Sequence, residues 1–171
     1  VDIDGGKWSI PAGNSKNAKD HTIFLSDFTK EQFKALHSIT GDFDWCYPSR
    51  DEEQPISPKS IAKQIKDRVR SEALANRTKA TGALLLTGGA WTPHDLRRTG
   101  ATMMGELGVM GEVIERCLNH VEQNKLKRIY QRHELKAEQQ EAWRLLGERL
   151  ALLKAAEDHD NVVVARFNKK A

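Results

Sequence analysis

The chain is poor in cysteine. Its two, Cys46 and Cys117, are too few for a disulfide scaffold, and together with the six histidines they show no zinc-ligand spacing. A reducing cytosol is the expected setting. Long apolar runs are missing as well: stretches such as "GALLLTGGAW" fall far short of a bilayer span, so no membrane partner is expected. No secretory signal opens the chain, which begins without Met as "VDIDGGKWSIPAG" and reads as though cut from something longer. There is no internal repeat and no low-complexity run. Nor is there a large excess of one charge. Lys and Arg number 27 against 24 Asp and Glu, for a net charge of +3 and a sequence pI near 8.9. That balance excludes a histone-like polycation and permits a nucleic-acid partner without requiring one.

What is present is a globular composition: 39% hydrophobic and 30% charged over 171 residues, enough for one compact domain with a sizeable core. "KWSI" and "HTIFLS" are short, alternating and rich in β-formers, and "PAGNSKNAKD" between them is a polar turn. The expectation is a β-hairpin with strands near 7–10 and 21–25. "SDFTKEQFKALHSI" sets Phe28, Phe33, Leu36 and Ile39 near helical spacing, with Ser26 or Asp27 as the cap. "TGDFDWCYPSRDEEQPIS" reads as a loop with one buried extended piece around "DWCYP". Ser57 and Pro58 open a helix in which Ile61, Ile65 and Val69 recur every four residues. Its lysines and arginines, from Lys59 to Arg70, form either a solvated face or one that tracks phosphates.

After a loop at "NRTKATGALLLTGG", Thr92 and Pro93 open a helix that runs to about Leu107 and closes at Gly108. "GEVIERCL" is a short helix ending at Asn119, and "NKLKRIY" is another helical piece. The longest helical signal starts at Glu134, with Leu135, Ala142, Leu146, Leu150 and Leu153 in one stripe and Trp143 beside it. The tail "NVVVARF" is β-prone. The fold class expected is α+β, mostly α, with a small antiparallel sheet at one edge.

Chemistry concentrates in "TPHDLRRTGATMM". Two arginines near a helix start oppose the macrodipole, so something negative is expected against them. His94 and Arg97 are three apart and share a face of the first turn, where free backbone N–H groups also favour anions. An imidazole and a guanidinium together suit a phosphate, which the guanidinium can grip through two oxygens. Arg98 points elsewhere, toward packing or a salt bridge. Tyr130 lies among Lys127, Arg128 and Arg132. Nearby positive charge favours its phenolate, which could attack phosphorus. A half-buried ring with its hydroxyl at the surface is the plainer reading.

The order H-x-x-R, then "GV...IE..LNH", then a tyrosine within a dozen residues resembles the catalytic domain of tyrosine recombinases, in their bacteriophage and prophage integrase branch. "WSIPAGNSKNAKDHTIFLS" is similar to that family's β-hairpin, and "AWRLLGERL" to its closing helix. The resemblance spans nearly the whole chain and is densest from 91 to 147. It implies an integrase catalytic domain over residues 1–157, shortened at its N-terminus, and a tail over 158–171.

The resemblance also implies roles. Tyr130 would be the nucleophile, forming a 3′-phosphotyrosine. Arg97 would steady the nonbridging oxygens, with His94 and His120 as further donors or proton acceptors at the phosphate. Lys16 best matches the hairpin lysine that protonates the departing 5′-oxygen, and Lys19 is the alternative. Such chemistry needs neither metal nor cofactor. The implied partners are double-stranded DNA, at attachment sites, and other integrase protomers in a tetramer on that DNA. The implied location is the cytoplasm of a bacterial or phage-infected cell. The family also uses a first arginine on a helix before the hairpin, yet no arginine here precedes Arg50. A truncated chain or a degenerate, inactive integrase would both explain that. A helical DNA-binding module without chemistry is the competing reading. A type IB topoisomerase is a third, against which the "HDLRRT" text argues.

Overall fold

A computed structural model describes residues 1–73, 75–76, 80–121 and 133–158. Two antiparallel strands, β1 (Lys7–Ile10) and β2 (His21–Phe24), form the hairpin in the register Lys7↔Phe24 to Ile10↔His21. Five helices are seen among the described residues: α1 (Asp27–Thr40), α2 (Pro58–Arg68), α3 (Pro93–Glu106), α4 (Gly111–Cys117) and α5 (Lys136–Asp158). The mostly helical α+β class expected from the sequence is therefore observed. The chain divides into two compact units, one made of residues 1–31 and 109–171, the other of residues 32–108.

The first unit is organised by α5, which packs on α4 and on β2. Its apolar stripe is the one the spacing predicts: Ala142 and Leu146 are buried, as are Val113 and Cys117 from α4 and Leu25 after β2. Burial pushes the Cys117 thiol up to about 12, so it behaves as a small apolar side chain. Ser26 joins α1 to α5. Its hydroxyl accepts from the Thr29 N–H at 3.3 Å, capping α1, and the same side chain packs on Gly147. A Cβ at position 147 would sit 2.2 Å from Ser26 Oγ, so only glycine allows this approach.

In the second unit, Val69 and Met104 are the buried apolar side chains among the described residues. α2 starts at Pro58 after Ser57, as expected. Its stripe is offset, however. Ile61 is exposed, whereas Asp67 is buried next to Arg70 Nε at 3.8 Å. Two other expectations are corrected. Ile39 is 75% exposed, because the inward stripe of α1 runs through Thr29, Phe33, Leu36 and Thr40. The piece around "DWCYP" is not buried: Trp45 and Tyr47 are exposed on a turn closed by a Pro48–Pro55 bridge. Aromatic residues suggested burial, but the polar residues around them hold the turn at the surface.

Candidate active site

α3 begins as the spacing predicts and ends at Glu106, with Gly108 just past the Leu107 cap at a φ of +84° that suits glycine. The negative group expected against its arginines is partly internal. Asp95 accepts from the Thr92 N–H at 3.0 Å and from the Thr92 hydroxyl at 2.8 Å, and Arg98 Nη1 lies 3.5 Å away. The Thr92 hydroxyl, then its backbone N–H, hold the Asp95 carboxyl below its ordinary range, with the charges of Arg98 and His94 acting in the same direction. Asp95 thus closes a capping box and offsets positive charge at that end. Arg98 is engaged locally. His94 and Arg97 are exposed one turn apart on the same helix, so they can address one external anion.

His120 follows a different construction. α4 is only seven residues long and is anchored by buried Val113 and Cys117. Its chain then reverses through Asn119, whose φ of +55° lies in the left-handed region that asparagine tolerates better than most residues. The next residue, His120, is held twice by Glu115. Its backbone N–H donates to the Glu115 carbonyl at 2.9 Å, and its Nδ1 sits 2.5 Å from the Glu115 carboxylate. With the proton on Nδ1, that nitrogen donates to Glu115 and Nε2 is left to meet a ligand.

His120 opens onto a cleft of about 490 Å³ within the first unit. The hairpin loop supplies one wall, including Asn17, Lys19 and Asp20. Arg116, Asn119 and His120 supply a second, and Glu134, Lys136 and Gln139 a third. Several of these charges are matched: Arg116 to Glu112 at 3.8 Å, Lys136 to Glu134 at 2.5 Å, and Asp20 to the Ala12 N–H at 2.8 Å. The bond from Lys136, and then its charge, keep the Glu134 carboxyl low. Lys19 lines the cleft. Lys16 is exposed on the same loop and does not line it. A second groove, of about 730 Å³, lies in the other unit beside Lys66, Arg70 and Leu86, and carries none of the predicted site residues.

The structure therefore brings the loop of Lys16 and Lys19 to His120, and sets His94 beside Arg97. The two groups belong to different units. Tyr130, with Lys127, Arg128, Arg132 and the "NKLKRIY" piece, lies outside the described residues, as does the "NVVVARF" tail. Among the described residues no cluster of side chains has the make-up of a metal site. Sequence reasoning missed Asp95, Glu115 and Asn119. For Asp95 the signal was there, since Thr92 and Asp95 have capping-box spacing.

The model of the phage integrase family matches residues 1–137. The chain belongs to the phage integrase family. Membership bears out the resemblance carried by the H-x-x-R, "LNH" and hairpin motifs. The matched span includes α3, every residue lining the cleft except Gln139, and Tyr130. The chain is also 26% identical over 170 residues to the prophage integrase IntA of Escherichia coli (strain K12), a match that takes in 99% of this chain and 36% of that protein. This integrase chain thus spans about a third of the length of its curated relative. No solved structure matches it. No helix among the described residues is long and apolar enough to cross a membrane.

Proposed function

We propose that this chain is the catalytic part of a site-specific DNA recombinase, which cleaves and rejoins DNA through a 3′-phosphotyrosine intermediate. The observation that carries the reading is the exposed His94–Arg97 pair on one face of α3, in a chain of the phage integrase family. Tyr130 attacks the scissile phosphorus. Arg97 binds the nonbridging oxygens. His94 and His120 contact the same phosphate, the latter through Nε2. The hairpin loop supplies the proton for the 5′-oxygen, from Lys16 by its match to the family motif or from Lys19 by its place on the cleft wall.

The chemistry supports this division of labour. Phosphoryl transfer spreads negative charge over equatorial oxygens, and fixed cationic donors stabilise it without reorganising. An alkoxide leaving group needs a proton, which a lysine pressed against DNA can give. The phosphotyrosine keeps the bond energy for rejoining, so neither ATP nor a metal is required. DNA at attachment sites is the substrate, and other protomers complete a tetramer on it in the cytoplasm.

Tyr130→Phe in the intact protein tests the reading. On a nicked suicide substrate it abolishes the covalent adduct and leaves DNA binding nearly unchanged. Equal adduct from both proteins, or none from the wild type, overturns the reading. The second reading, a DNA-binding module without chemistry, draws on the exposed lysines 59, 63 and 66 of α2, which suit phosphate tracking. It predicts no adduct from either protein. Because no arginine precedes Arg50, these 171 residues alone attach to DNA poorly or not at all. Efficient attachment by the isolated chain would contradict that.

A further inference from the structure

Three side chains, two of which line the cleft, close a hydrogen-bonded ring. Ser15 Oγ donates to Asn17 Oδ1 at 2.7 Å, Asn17 Nδ2 donates to Asn119 Oδ1 at 2.8 Å, and Asn119 Nδ2 donates to Ser15 Oγ at 3.1 Å. Each group gives one bond and receives one, a cyclic arrangement in which neighbouring bonds polarise one another. All three bonds are partly buried, and two of them join segments more than 100 residues apart in sequence. Asn17 Oδ1 also accepts from the Lys19 N–H at 3.3 Å, so the ring reaches the backbone of the lysine that lines the cleft. At its other end the ring holds Asn119, the left-handed residue directly before His120.

We propose that the Ser15–Asn17–Asn119 ring is a positioning device that sets the Lys19 ammonium opposite His120, and that Asn119 is its pivot. This rests on the recombinase reading and adds to it a positioning residue and a choice between the two lysines. In the cleavage step the Tyr130 oxygen bonds to phosphorus as its own proton passes to solvent water, the bond from phosphorus to the 5′-oxygen breaks, and the 5′-oxygen takes a proton from Lys19. His120 holds a nonbridging oxygen of that phosphate, so the distance between the two side chains has to be fixed. The ring ties the two segments together through the side chains of Ser15, Asn17 and Asn119, and holds the Lys19 N–H on one side. Neither Ser15 nor Asn119 touches the reacting atoms.

Asn119→Gly is the direct test, because glycine adopts the positive φ freely and only the amide is lost. The assay is single-turnover cleavage by the intact protein, on an ordinary nicked substrate and on one with sulfur in place of the 5′-bridging oxygen. A thiolate leaves without a proton. On the ordinary substrate Asn119→Gly slows cleavage about tenfold, a part of what a well-placed general acid contributes. On the sulfur substrate it stays within about twofold of wild type. Lys19→Ala shows the same rescue, and adding Asn119→Gly to it causes little further loss, as expected for groups acting through one another. Ser15→Ala opens the ring from the hairpin side and reports the same pattern should Asn119→Gly fold poorly.

Equal slowing on both substrates marks a merely structural role and overturns the proposal, as does no slowing on either. Rescue confined to Lys16→Ala overturns the choice of lysine. If wild type forms no adduct on either substrate, the recombinase reading itself has failed. If wild type is active and only the rescue is missing, the ring proposal alone has failed.

Discussion

The start of α3 and the cleft around His120 present the same kinds of side chain by opposite means. On α3, His94 and Arg97 are placed by one helical turn, and Asp95, two residues before Arg97, prepares that turn by bonding back to Thr92. Those bonds are local. Around His120 the bonds from Glu115 are near in sequence, but the residue before it, Asn119, is tied to Asn17 and Ser15 of the hairpin, and α5 lies behind α4. Burial differs in the same sense. The unit that holds the cleft buries Leu25, Val113, Cys117, Ala142 and Leu146, whereas the unit that holds α3 buries Val69 and Met104 among the described residues. A helix start needs little core to be well formed. A turn between distant segments needs a great deal.

Substitutions can break this contrast at several scales. The largest stability effect is expected in the sparser core. Met104 is 1% exposed on α3, and Met104→Ala should cost about 3 kcal/mol through lost burial and the cavity left behind. Urea unfolding gives the value, and a loss below about 1 kcal/mol would show that the site collapses to fill the gap. Next is Gly147→Ala. Its new methyl meets Ser26 and should cost about 2 kcal/mol, with amide exchange quickening first in α5 and the start of α1. Quickening confined to α3 would contradict the assignment of Gly147 to the first unit.

Acidification has a smaller, local effect. Because the folded state holds the Asp95 carboxyl low, its contribution is full above the unfolded-state value and fades as pH falls through the depressed folded-state value. Protection of the first-turn amides of α3, taken relative to their intrinsic exchange, should therefore fall at low pH in wild type, and that pH dependence should vanish in Asp95→Asn. The smallest effect concerns Arg144, which pairs with Glu141 and Glu148 on the exposed face of α5. Arg144→Gln should leave the unfolding midpoint unchanged within error, since exposed pairs contribute little.

The same contrast explains what the sequence revealed. The hairpin, the Pro93 start and Gly108 stop of α3, and the α5 stripe are legible because period, cap and turn chemistry act over a few residues. The H-x-x-R pair is legible for the same reason, and once joined to "LNH" it pointed to the family. Ile39 failed because the three-residue step from Phe33 to Leu36 was extended once more, whereas the face that packs continues four residues on, at Thr40. "DWCYP" failed because aromatic content was taken for burial without a partner element to bury it. The link from Asn119 to Asn17 left no signal at all, since nothing near position 119 specifies which loop 102 residues earlier will meet its amide. The different placing of Lys16 and Lys19 is of that kind too: both sit on one polar turn, and only the folded loop shows that Lys19 lines the cleft while Lys16 does not.

α4 is shorter than any helix that keeps its shape unaided in water. The address of the imidazole at its end is therefore borrowed. It is written in the long helix behind it, through Val113 and Cys117, so a slip of that helix along its axis would carry the histidine with it.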